Sequence, residues 1–89
     1  MASFLGGSAY AMATGIADGY HSVNERTFKV MGRAELDQMA LELDKHLREV
    51  RAEQPAIDDL VAVQHRNRKI QRLTTAQLVL RVHRQKRRI

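Results

Sequence analysis

From Leu36 onward, apolar residues return at helical intervals. Leu36, Ala40, Leu43, Leu47 and Val50 follow 4-3-4-3 spacing, which gathers them on one side of an α-helix as the seam of a packed pair. Met39 widens that stripe on one flank. The pattern predicts an amphipathic helix over residues 25–54, with Gly32 as the point where it bends or runs straight on. Asp44 and Arg48 stand four apart in the order that favours an ion pair. Pro55 ends the helix, because the residue ahead of a proline is pushed out of helical backbone angles, while proline itself suits a first turn. Beyond it, Leu60, Val63, Asn67, Ile70, Thr74 and Gln77 hold 3-4-3-4-3 spacing, and Leu73, Ala76 and Leu80, with Leu78 and Val82, form a second apolar set. These predict one long helix within 55–89, about 50 Å long. Thr74-Thr75-Ala76-Gln77 matches a capping box and marks where it would break. Asp58 and Asp59 fall in its first turn, at the positive end of the helix dipole. Two long helices joined by a short proline-containing turn read as an αα-hairpin.

The first 24 residues differ in kind. "GGSAYAMATGIADG", residues 6–19, carries a single charge, Asp18, and its smallest residues recur every fourth position at Gly7, Ala11, Gly15 and Gly19. Positions four apart share a helix face, and a face without side chains lets a second backbone approach closely. Four glycines would each cost an isolated helix ~1 kcal/mol relative to alanine. The segment therefore reads either as an extended, loosely ordered leader or as a helix whose small-residue seam packs against another helix, and the seam is the reading adopted.

Composition supports an all-α fold. Two Phe, two Tyr, no Trp and one Pro among 89 residues leave Ala, Val, Leu, Ile and Met to fill a core, a set that suits helices more than a β-sandwich. A single short domain of this size buries a modest core, so packing in an oligomeric assembly is expected. The absence of cysteine excludes disulfides and thiolate metal sites. No basic n-region and cleavage site mark a secretory signal, so a cytoplasmic location is the default expectation. The low-charge run at the start is shorter than the ~20 residues of a spanning helix.

Charge changes the picture at the far end. Residues 1–59 carry all ten acids and six bases, and residues 60–89 carry nine bases and no acid. Arg66, Lys69, Arg72, Arg81, Arg84, Lys86, Arg87 and Arg88 form a candidate polyanion-binding set, able to neutralise several phosphates in a salt-dependent, sequence-independent way. No aromatic residue interleaves them, so stacking on single-stranded bases is not supported. A solvated basic face paired with the acids of the preceding helix is the competing reading. Catalytic chemistry is not signalled: there is no Walker or G-x-G-x-x-G loop, and His21, His46, His65 and His83 include no i,i+3 or i,i+4 pair. The histidines are expected to be solvated or interfacial. No enzyme activity, cofactor or metal is expected. A membrane contact through residues 3–17, with basic groups drawn to anionic lipid, is a further alternative.

The opening "MASFLGGSAYAMATGIADGY", followed by charged amphipathic helices, resembles the small internal virion and ejection proteins of tailed bacteriophages. The resemblance covers residues 1–24 and the layout after them. It implies a multi-copy structural protein, homo-oligomeric or packed with other structural proteins in a virion or tail, touching genome or membrane during entry. This chain is shorter than the better-known ejection proteins, which sets a channel-forming role aside.

Overall fold

The computed structural model describes residues 4–88. Four helices and no strand occur among them: α1 (Ala9–Asp18), α2 (Glu25–Lys29), α3 (Arg33–Ala52) and α4 (Leu60–Arg87). Each start is marked by a local acceptor. The Ser8 hydroxyl accepts from the Ala11 amide at 3.0 Å, Asn24 and Thr27 form a capping box, and the Asp59 carboxylate accepts from the Ala62 amide at 3.1 Å. Such caps satisfy amides that the first helical turn leaves without partners.

The two longest helices run antiparallel. Asp37 near the start of α3 pairs with Arg84 near the end of α4 at 2.6 Å, and the carbonyls ending α3 receive the side chain of Arg66 from the second turn of α4. α1 packs against both, and α2 lies against α4. Met12, Ala13 and Ile16 of α1, Phe28 and Met31, Leu36, Met39, Leu43, Leu47 and Val50, and Leu73, Ala76 and Leu80 of α4 close a single core. Burying a side chain of this class stabilises by ~1.5–3 kcal/mol. The 4-3 seam of α3 is therefore the core stripe, with Ala40 half-buried at its edge.

Several sequence expectations change. The helix expected over 25–54 is two helices. Its break at Val30–Gly32 lets Phe28 and Met31 both reach the core, and the backbone groups it frees find partners: Glu35 accepts from the Gly32 amide at 3.0 Å, and Arg87 donates to the Met31 carbonyl at 2.9 Å. α4 begins at Leu60 rather than at Pro55, with Asp59 as its cap. It runs unbroken through Thr74, because Leu73, Ala76 and Leu80 anchor the turns on both sides of that position. The seam proposed for its first half is not buried: Leu60 and Asn67 are exposed, and Val63 and Ile70 are half-buried. The shorter helices cover only the later part of α4, so the buried stripe is Leu73, Ala76, Leu80 and His83.

The small-residue stripe is also not a helix-on-helix seam. Gly7 precedes α1, in a turn where its amide donates to the Phe4 carbonyl at 3.1 Å. Gly19 follows α1 with φ +86°, the left-handed conformation that glycine adopts at no steric cost, and the Tyr20 amide donates back to the Gly15 carbonyl at 2.8 Å to finish the cap. Ala11 and Gly15 alone lie within the helix. A side chain on Gly15 would collide with the ring of His21, which folds over it. The close approach at Gly15 is thus between a backbone and an imidazole of the same chain. Two histidines depart from expectation as well, since His46 and His83 are buried.

Candidate interaction surfaces of the long helix

The basic half of the chain is α4, and its cations have two fates. Three arginines reach backbone carbonyls of the other helices. Arg66 donates to the carbonyls of Arg51 and Glu53, both at 2.9 Å, at the end of α3. Arg72 donates to the Ala17 carbonyl in the last turn of α1 at 3.0 Å, and Arg87 donates to the Met31 carbonyl between α2 and α3. A helix leaves its last carbonyls without amide partners and carries partial negative charge there, so a guanidinium is a fitting cap. Lys69 lies 4.0 Å from Asp18, Arg84 bonds Asp37, and Lys86 lies 3.4 Å from Glu25. The solvated-face reading thus holds for part of the set, and backbone capping accounts for another part.

Arg68, Arg81 and Arg88 remain; Arg68 stands apart, and Arg81 and Arg88 share a face with Arg84. Together with Gln77, Leu80 and Gln85 they line a groove of about 610 Å³ against Ala40 of α3. The small side chain at Ala40 leaves room there. The groove presents three guanidinium groups, one of them already facing Asp37, and two amides. Of the eight residues expected to bind a polyanion, it gathers three; Lys86 and Arg87 point toward α2, and Arg66, Lys69 and Arg72 toward the ends of α1 and α3.

On another side of α4, Leu78, Val79, Val82 and His83 form with Val23, Asn24 and Glu25 an apolar groove of about 370 Å³. His83 is 2% exposed, and its ring lies 6.5 Å from that of Phe28. Arg87 donates to its Nε2 at 3.1 Å. A guanidinium has no acceptor, so Nε2 must accept and the proton of the neutral ring sits on Nδ1. Nδ1 has no hydrogen-bond partner and stands 4.0 Å from Glu25 Oε1. Burial, then the Arg87 charge, hold His83 below the usual histidine range; Lys29 and Lys86 act in the same direction and Glu25 opposes them.

One hydroxyl–imidazole pair is present. Thr14 Oγ1 and His46 Nε2 are 3.0 Å apart, and His46 Nδ1 donates to the Glu42 carbonyl at 2.8 Å. Thr14 also reaches the Tyr10 carbonyl, and the Tyr10 ring lies 5.0 Å from the imidazole. Neither Thr14 nor His46 lines the grooves above, so the pair joins α1 to α3. No group of three His, Asp or Glu able to hold a metal occurs among the described residues.

No protein-family model, curated protein or solved structure matches the chain.

The remaining surface feature is apolar. Ile57, Leu60 and Val61, at the turn into α4, are 93%, 68% and 64% exposed. Singly exposed apolar residues are ordinary; here three fall within five positions of the chain. No helix among the described residues is long and apolar enough to cross a membrane, and the apolar side of α1 faces the core.

Replacing Arg72 with methionine keeps the apolar stem and removes the donors. It should cost about 1–2 kcal/mol in chemical denaturation, whereas Arg81→Met, at an unpartnered position, should change stability by less than about 0.5 kcal/mol. The depressed titration of His83 also has a direction. The unfolded chain takes up this proton first, so stability is full above the unfolded value near 6.5 and declines as pH falls below it. Melting temperature should drop between about pH 7.5 and about pH 5, and His83→Gln should show a smaller drop over the same interval.

Proposed function

We propose that the chain is a non-enzymatic helical subunit of a multi-copy assembly. The observation that carries this reading is the exposure of Ile57, Leu60 and Val61 on a fold whose own core is already closed. No other described residue covers them, and burial against another molecule would stabilise by ~1.5–3 kcal/mol for each side chain fully removed from water. The engagement of α4 cations with backbone carbonyls and acids supports the same reading, since it leaves fewer of them for an outside anion. The likeness of residues 1–24 to internal virion and ejection proteins of tailed bacteriophages suggests a virion or tail as the setting.

A second reading is sequence-independent polyanion binding, favoured by the groove of Arg81, Arg84 and Arg88. It is narrower than composition alone suggests, because three guanidinium groups replace a set of eight cations.

Light scattering at micromolar concentration tests the first reading. The mass should exceed that of the 10.2 kDa monomer, and Ile57→Asp with Val61→Asp should lower it while the helical circular dichroism spectrum persists. A monomeric native protein would overturn the assembly. For the second reading, two to three engaged phosphates give a slope of log affinity against log salt of about −2 to −3 on duplex DNA. The slope should flatten in Arg81→Ser with Arg88→Ser; absence of binding at low salt removes the reading.

A further inference from the structure

We propose that two copies of this chain pair antiparallel through the outer face of α4, about a two-fold axis at Gln71. The inference rests on the assembly reading and names its first contact.

Opposite the buried stripe, α4 turns Leu60, Gln64, Asn67, Gln71, Thr75 and Leu78 outward, and Val82 continues the line. All seven are exposed. Their 4-3-4-4-3-4 spacing keeps them on one face, and it reads the same in both directions about Gln71. A solvated helix face is ordinarily where charge collects. In a chain with 28% charged residues, this face carries none. Its ends are apolar: Leu60 is 68% exposed, Leu78 52% and Val82 41%.

Leu60 and Val82 lie about 33 Å apart along the helix, so they cannot cover each other within one copy. An antiparallel second copy in the symmetric register sets Leu60 against Val82 at both ends at once. Asn67 then meets Thr75, and Gln71 meets its own counterpart, where two amides can exchange hydrogen bonds. Polar residues within a helix seam fix register at some cost in stability. Charge selects the direction. Asp58 and Asp59 precede Leu60 by less than a turn, and the strongly basic end of α4, residues 84–88, follows Val82, so the antiparallel arrangement brings an acidic end toward a basic one. A parallel pair would set aspartates beside aspartates and one basic end beside the other, which like-charge repulsion disfavours. Because the contact uses the same surface on both copies, it closes at two rather than growing into a fibre.

The chain contains no cysteine, so one introduced thiol reports one position. Gln71→Cys should form a covalent dimer under mild oxidation, since antiparallel helices in contact bring residues on the axis within disulfide reach. Glu49→Cys, exposed on α3, should remain monomeric under the same treatment. Leu78→Lys should raise the dimer dissociation constant about tenfold or more. If Gln71→Cys cross-links no better than Glu49→Cys while the native protein still scatters as an oligomer, the α4 contact is overturned and the assembly reading stands. If the native protein is monomeric, both are overturned.

Discussion

The fold depends on guanidinium groups of α4 bonded to the carbonyls of the rest of the chain. Arg66 closes α3, Arg72 closes α1, and Arg87 holds the turn that separates α2 from α3. At Ala17 and Met31, both buried, the carbonyl would otherwise be poorly partnered, and an unmet buried acceptor costs about 1–3 kcal/mol; the Arg66 bonds at the end of α3 are exposed. Arginine suits the task better than lysine, because its planar fork reaches two acceptors from one stem. Arg66 does so with Arg51 and Glu53, and Arg87 binds the Met31 carbonyl and the His83 ring together. The long helix thereby ties down the ends of the shorter helices, which local signals such as Gly19 and Pro55 terminate.

That arrangement explains which parts of the fold were legible in the sequence. Leu36, Leu43, Leu47 and Val50 announce α3 because burial has a period, and period survives in a string of letters. Pro55 announces the end of α3 through backbone chemistry local to it, whereas Asp59, which the sequence places in the first turn of the next helix, is its cap. The cations of α4 were not legible in the same way. Arg72 and Arg81 look alike in sequence, and the difference between them is a carbonyl 55 positions from Arg72. Backbone acceptors leave no compositional trace, so a basic run reads as a surface for anions even where it serves the fold. The stripe from Gly7 to Gly19 misleads for a related reason. Fourfold spacing of small residues serves a helix seam and also a turn, a helix and a cap in succession, and only backbone angles separate the two. His21 over Gly15 and His83 beneath Arg87 carry no local signature.

The sides of α4 divide the work. One is core, with Leu73, Ala76 and Leu80. A second, toward Ala40, gathers Arg81, Arg84 and Arg88. The outward one is nearly free of charge. Such separation places any partner contact on surfaces that the core does not share, so substitutions on the outer face can alter association while leaving helix packing alone. Leu80 and His83 are the exceptions: both are buried, and Leu80 also lines the arginine groove while His83 lines the apolar groove beside Val82.

The capping arginines also set an order in time. Ala17 and Met31 lie 55 and 56 positions ahead of the side chains that satisfy them, and contacts so distant in sequence slow folding, because the intervening loop must close before they reward it. A chain made from its first residue onward produces α1, α2 and α3 before the helix that finishes them. Until then the Ala17 and Met31 carbonyls lack the guanidinium groups that partner them. Native structure is completed only when the last turns of α4 are free to dock, so the earlier helices settle together with α4 rather than piece by piece.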